Sequence, residues 1–157
     1  MKTTHSLMAA FARRSDQNSS VWYQGHLFTF LAESQDTEGQ FTLLDIVMRQ
    51  GLEPPPHTHA REDEAWYILD GEMIFITGDQ QIHAKRGDFV FQPRGVLHGF
   101  TLATPQSHAL ALLTPAGLEV GFRALSEPAQ SLTLPPVAQM LKVFGDLGVV
   151  FAPPPAS

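Results

Sequence analysis

Two histidines one residue apart, His57 and His59, constrain this chain more than any other feature. Side chains on a β-strand alternate between its faces, so residues i and i+2 point the same way. Both imidazoles can therefore be directed at one point. Imidazole and carboxylate together form a general donor set for transition metals. The pattern predicts a strand end that carries a metal site.

Glu64 is the carboxylate that we expect to join these two histidines. It is an odd number of residues from His59, so on one unbroken strand it would face away. Residues 60–63 have the polar composition of a turn. A turn into a second strand would bring Glu64 back to the same point.

Glu62 competes with Glu64 for this role, because the two residues share strand parity. The acidic cluster could also be a solvated turn with no ligand in it. The apolar residues Trp66 and Ile68 follow at the same parity as Glu64, and they indicate that Glu64 faces inward.

Two blocks of fixed spacing contain these residues. The first block contains Gly51, His57, His59, Glu64 and Gly71. The second block contains Gly87, Pro93, Gly95 and His98. They resemble the two signature motifs of the cupin superfamily. The first motif matches at every fixed position, whereas the second departs at its last position, where Leu102 replaces the usual Asn.

The resemblance implies an all-β fold, an antiparallel double-stranded β-helix of the cupin or jelly-roll type. It implies that His57, His59, Glu64 and His98 hold one divalent transition metal, which could be Fe, Mn, Ni, Co or Cu, with Zn possible in the isolated protein. The Asn of the motif is not a ligand, so Leu102 leaves the metal set intact and makes the pocket wall more apolar. Trp66, Ile68, Phe100 and Leu102 share parity with Glu64 or His98, and we expect them to line a substrate pocket.

The residues around both motifs are similar to those of bacterial single-domain proteins of the quercetin 2,3-dioxygenase type. This resemblance implies oxygenolytic cleavage of a flavonol-like enol by O2, with Glu64 as the general base. A metal-dependent cupin that binds a small ligand without catalysis is an alternative. A β-diketone dioxygenase is another, and it would prefer a site of three histidines.

A sugar-phosphate isomerase ranks lower, because it needs cationic groups to hold phosphate. The positive charges near the motifs are only Arg61, Lys85, Arg86 and Arg94.

The 157 residues predict one domain with an N-terminal arm and a C-terminal extension. We expect a loose arm over 1–20, the barrel over 21–134, and a helix followed by a proline-rich tail over 135–157. Hairpins are predicted at Asp70-Gly71 and at Gly78-Asp79. No helical period is found before residue 125.

The predicted helix covers 135–145. Its apolar face comprises Val137, Met140, Leu141 and Phe144, and Gly145 is placed at its C-cap.

Composition and charge argue against several classes of partner. The net charge is -6 and the basic residues are scattered, so we expect no nucleic-acid partner. No apolar run reaches membrane-spanning length, so no membrane partner is expected. The chain has no cysteine, which excludes disulfides and thiolate ligands, and a cytoplasmic location is the default expectation. The family resemblance implies a homodimer that pairs through the edge strands at 21–23 or 26–31.

Overall fold

The computed structural model describes residues 9–16, 19–127 and 136–153, and within them it has eleven strands and three helices. The strands are β1 Ser20–Tyr23, β2 His26–Ala32, β3 Thr42–Arg49, β4 His57–His59, β5 Asp63–Asp70, β6 Glu72–Thr77, β7 Gln80–Lys85, β8 Phe89–Gln92, β9 His98–Leu102, β10 Gln106–Thr114 and β11 Val149–Phe151. The helices are α1 Ser34–Thr37, α2 Glu119–Ala124 and α3 Val137–Asp146. Half of the predicted arm over 1–20, namely 1–8 and 17–18, lies outside the described residues, as does the end of the proline-rich tail, 154–157.

The strands form two antiparallel sheets. Sheet A has the order β1-β2-β3-β10-β5-β8, and sheet B has the order β11-β4-β9-β6-β7. Strands that neighbour each other in sequence alternate repeatedly between the sheets, as in a double-stranded β-helix. The predicted all-β fold is therefore confirmed.

The core lies between the two sheets. Leu44, Ile46 and Met48 alternate along β3 and are all buried, as the period of a half-buried strand requires. Phe75 and Met73 on β6 face them from sheet B and are fully buried.

The predicted hairpin at Asp70-Gly71 is wrong, because β5 belongs to sheet A and β6 to sheet B. Gly71 instead turns the corner between the sheets. It has φ of 78°, and a Cβ there would lie 2.6 Å from the carbonyl oxygen of Gln106, so only glycine fits. The hairpin at Gly78-Asp79 is confirmed, since Thr77 and Gln80 pair across it.

The C-terminal unit, defined here as α3 and β11, closes one end of sheet B. Strand β11 pairs with β4, so Val149 lies opposite His59 and Phe151 opposite His57. Its three residues are too few to give a periodic signal, and the sequence pattern does not predict this strand.

Helix α3 is present where the sequence predicts it, but its details differ. Met140 and Phe144 are buried, whereas Val137 and Leu141 are exposed. Gly145 lies inside the helix rather than at its cap.

The expectation of no helix before residue 125 is wrong, because α1 and α2 are each too short for a hydrophobic period to show. No helix among the described residues is long and apolar enough to cross a membrane.

Gly121 in α2 allows α3 to pack closely, and this leads to a prediction. A Cβ on Gly121 would lie 2.7 Å from Cε1 of Phe144, whose ring is held by Tyr23, Phe122 and Phe151. We expect Gly121→Ala to lower the free energy of unfolding by about 1–3 kcal/mol, the usual cost of overpacking.

The matched control is Gly145→Ala, where a Cβ meets nothing within 4 Å. It should raise the free energy of unfolding by up to about 1 kcal/mol through helix propensity. Urea denaturation measures both variants, and equal shifts of the same sign would contradict the packing argument.

Candidate metal centre and its pocket

Four side chains from three strands meet inside the barrel. His57 and His59 come from β4, His98 from β9, and Glu64 from β5 in the opposite sheet. Each offers one ligand atom, and these atoms all lie within 4.8 Å of one another. The structure thus brings together the four ligands that the motif resemblance implies, and it places Glu64 on a second strand after a turn.

The spacing of the four atoms is close to that of a coordination sphere. Ligands about 2.1 Å from an ion lie about 3 Å apart when adjacent and about 4.2 Å apart when opposite. No two of the four atoms lie more than 4.8 Å apart, which exceeds the separation of opposite ligands by less than about 1 Å. Small side-chain rotations would therefore close the set around one ion.

Backbone carbonyls fix which ring nitrogen faces the cluster in two of the histidines. Nδ1 of His57 donates to the carbonyl oxygen of Pro55 at 2.9 Å, and Nδ1 of His98 donates to that of Val96 at 2.9 Å. A carbonyl can only accept, so each Nδ1 carries a proton, and in the neutral form of each ring Nε2 keeps its lone pair. This is the tautomer that a metal ligand requires.

Glu64 and His98 form the closest contact of the cluster. Oε2 of Glu64 lies 3.2 Å from Nε2 of His98, but the two groups are not aligned as a hydrogen bond, and the buried Nε2 has no such partner among the described residues. Burial raises the pKa of Glu64, but the three histidines outweigh it, and the net result is a pKa well below the ordinary value. Burial lowers the pKa of His98, and the neighbouring Glu64 carboxylate more than reverses this effect.

The other two histidines are shifted in the opposite direction. Burial lowers the pKa of His59 to about 4, and burial also lowers the pKa of His57. At neutral pH the cluster therefore has an ionised carboxylate and neutral imidazoles on β4, which are the forms that bind metal. The donor types, the spacing and the unpartnered Nε2 of His98 all fit a divalent ion.

Glu62, the competing carboxylate, lies outside this cluster. It is 1% exposed, and burial raises its pKa. Its Oε2 lies 4.0 Å from Nδ1 of His59, on the side of that ring away from Nε2.

An apolar cavity of about 70 Å³ adjoins the cluster. His57, His59 and Glu64 form the polar part of its lining. Its aromatic lining comprises Tyr23, Phe28, Trp66, Phe100, Phe122, Phe144 and Phe151. Three of these, Phe122, Phe144 and Phe151, come from α2 and the C-terminal unit. The apolar face of the predicted helix, which includes Phe144, could have been expected to cap the barrel or line its entrance, whereas nothing in the sequence indicated this for Phe122 or Phe151.

The structure divides the four expected pocket residues into two pairs. Trp66 and Phe100 line the cavity, whereas Ile68 and Leu102 lie in the barrel core and do not. Ile68 and Leu102 each lie two residues further along the strand, which is about 6.6 Å further from the metal ligands.

His26 also lines the cavity, but its ring is occupied by structural contacts. Nε2 donates to the carbonyl oxygen of Leu52 at 2.9 Å, and Nδ1 accepts from the backbone N–H of Arg49 at 3.2 Å. No ring nitrogen is left for a metal or a substrate.

A double-stranded β-helix with three histidines and one glutamate inside it defines a cupin-type barrel. A family profile described as Cupin domain matches residues 44–115, which include both motif blocks. This part of the chain, which runs from β3 to the end of β10, is therefore similar to cupin domains.

A quercetin 2,3-dioxygenase of Bacillus subtilis (strain 168) is 28% identical to this chain over 116 residues, or 74% of the chain. The chain spans about a third of the length of that relative, 34%.

Solved structures match the fold at low sequence identity. KdgF from Halomonas sp. has a TM-score of 0.60 at 18% identity, covering 71% of this chain and 99% of that one. An RmlC-like cupin from Shewanella frigidimarina has a TM-score of 0.60 at 18% identity, covering 73% and 99%. Pac13, a nucleoside dehydratase, has a TM-score of 0.56 at 12% identity, covering 78% and 95%.

Removal of one histidine tests the metal centre. We expect His98→Ala and His57→Ala each to lose most bound metal, because each variant lacks one of the four donors. Both should stay folded, because the apolar core of the barrel does not include these side chains.

His83→Ala is the control, since His83 is exposed and lies on the edge strand β7 of sheet B, where it pairs with Glu72 of β6. Metal content by mass spectrometry should be unchanged in this variant. Equal metal content in all three variants would rule out the site.

Proposed function

We propose that the protein is a metal-dependent dioxygenase that cleaves a small enol substrate with O2, in the manner of quercetin 2,3-dioxygenases. One observation carries the proposal: the carboxylate of Glu64 lies within a set of three histidines and lines an apolar aromatic cavity. The likeness to the Bacillus subtilis enzyme supports it. The cofactor would be one divalent transition metal, Fe, Mn, Ni, Co or Cu, held by His57, His59, Glu64 and His98.

Each part of the site has a role in this reaction. A divalent ion there would bind the substrate oxygen and stabilise the anion that forms when the hydroxyl loses its proton. Glu64 would accept that proton as general base, because its carboxylate lies in the cluster and lines the cavity where the substrate would bind. The aromatic walls hold the substrate by apolar contact and keep water away from the reactive anion.

The size of the cavity restricts the substrate. Pockets for drug-sized ligands are about 300–1,000 Å³, several times the roughly 70 Å³ found here. A compact enol fits with small adjustments. To admit a flavonol, Phe144 and Phe151 of the C-terminal unit would have to move outward. Because β11 is paired through only three residues, it would move more readily than the longer barrel strands.

The alternative functions differ in their support. Glu64 lies among the ligands, which is not the three-histidine site expected of a β-diketone dioxygenase. Arg61, Lys85, Arg86 and Arg94 are all exposed and none lines the cavity, so the structure offers a sugar phosphate no cationic partner among them. A cupin that binds a ligand without turnover uses the same site, and only an activity measurement separates it from the enzyme.

Glu64→Gln separates catalysis from metal binding. The amide is nearly isosteric and three histidines remain, so we expect the variant to retain much of its metal. It cannot accept the substrate proton, so turnover should fall by about 10²–10⁴-fold. Oxygen uptake over a panel of enols of increasing size, from diketones to flavonols, measures the loss.

Glu72→Gln is the control for this test, because it makes the same change at an exposed carboxylate paired with His83. It should leave oxygen uptake unchanged. If wild-type protein loaded with each of the five metals consumes no oxygen with any enol of the panel, the dioxygenase proposal fails and the ligand-binding alternative stands.

Association is a separate prediction, and it rests on the family resemblance. We expect a homodimer, so light scattering at micromolar concentration should give the mass of two 17.3 kDa chains. Strand β2 is not a free edge, because it lies between β1 and β3. The outer edge of β1 is partly occupied, since Trp22 and Glu127 exchange backbone hydrogen bonds of 3.0 and 2.7 Å. A single-chain mass would contradict the dimer.

A further inference from the structure

His59 differs from the other two histidines in what its Nδ1 contacts. In His57 and His98, Nδ1 donates to the carbonyl oxygen two residues earlier. Nδ1 of His59 is buried and has no hydrogen-bond partner among the described residues. This nitrogen faces Oε2 of Glu62, which is also buried and also lacks a partner.

The two unpartnered atoms are complementary and close. They lie 4.0 Å apart, and a shift of about 1 Å would bring them to the length of a charge-assisted hydrogen bond. A buried polar atom without a partner costs free energy, so two complementary ones side by side are unfavourable unless they pair. Their juxtaposition has no other structural explanation among the described contacts.

The neighbours of Glu62 do not supply another partner. Asp63, the next residue, binds Arg94 through two hydrogen bonds to its side chain, of 2.8 and 3.1 Å. Glu64, the residue after that, faces the cluster from β5. Backbone hydrogen bonds from Gly95 to His59 and from Ala60 to Gly148 hold the turn on which Glu62 lies.

We propose that Glu62 is a positioning residue for the metal centre: its carboxylate accepts a hydrogen bond from Nδ1 of His59, which aims Nε2 of that ring at the ion. Such an outer partner fixes the tautomer and orientation of a ligand and strengthens its basicity. The inference rests on the metal-binding part of the proposed function and is independent of the reaction. It gives each of the three histidines an acceptor at Nδ1, two from backbone and one from a carboxylate.

The test measures Co²⁺ affinity and metal-free stability in the same variants. Glu62→Leu removes the acceptor at similar volume, so Co²⁺ affinity should fall by about 10–100-fold. Its metal-free melting temperature should stay equal or rise, because a buried unpartnered carboxylate is gone. Glu62→Gln keeps an oxygen that can accept from Nδ1, so it should retain most of the affinity.

Asp63→Asn is the matched control in the same turn. It weakens the pairing with Arg94, so its metal-free melting temperature should fall while Co²⁺ affinity stays within about twofold of wild type. If Glu62 had a purely structural role, Glu62→Leu would also show a lower metal-free melting temperature with unchanged Co²⁺ affinity. That result would overturn the proposal.

The outcomes also separate this inference from the proposed function. If wild type binds Co²⁺ and Glu62→Leu binds it equally well, the positioning role falls and the metal site stands. If wild type binds none of the five proposed metals, both fall together. If the affinity pattern holds but no enol supports oxygen uptake, Glu62 keeps its role and only the dioxygenase is lost.

Discussion

The buried carboxylate of Glu64 is the constraint on which the rest of the site depends. An isolated carboxylate inside an apolar barrel would carry a desolvation cost of several kcal/mol and would take up a proton instead. Three imidazoles within 4.8 Å reverse that outcome, because they favour the charged form. This cluster can form only where the two sheets face each other, since Glu64 comes from sheet A and the histidines come from sheet B. The barrel is thus the framework that makes an ionised carboxylate possible at this position.

The C-terminal unit contacts both the candidate metal centre and the adjoining cavity. Strand β11 pairs with the strand that carries His57 and His59, and the ring of Phe151 lies 5.5 Å from the ring of His57. The same short strand therefore supports two ligands and supplies one wall of the cavity. The position of that wall and the position of His57 and His59 thus depend on the same strand pairing.

Much of the fold and most of the candidate site could be predicted from sequence, for identifiable reasons. The candidate ligands could be predicted because the spacings of His57, His59, Glu64 and His98 match those of the two motifs. Strand parity and one turn explain why such spacings direct the side chains to one point. The corner at Gly71 could not be told from a hairpin, since a glycine turn gives the same signal whether or not the two strands pair. Helix α2 and strand β11 are too short to show a period, and the aromatic wall that they carry was missed for that reason.

The consecutive acids Glu62, Asp63 and Glu64 show where sequence reasoning ends. The motif spacing favours Glu64 as the ligand, but similar chemistry, adjacent positions and the parity that Glu62 and Glu64 share give no indication of what Glu62 contacts. Geometry separates them: Asp63 points out to Arg94, and Glu64 points into the cluster. Glu62 is buried behind His59. The shared parity does not put Glu62 and Glu64 on the same face, because the strand begins only at Asp63 and the alternation does not extend back into the turn. Oε2 of Glu62 and Nδ1 of His59 are both buried without a hydrogen-bond partner among the described residues, so only the folded geometry shows that this carboxylate faces a ring nitrogen that lacks an acceptor.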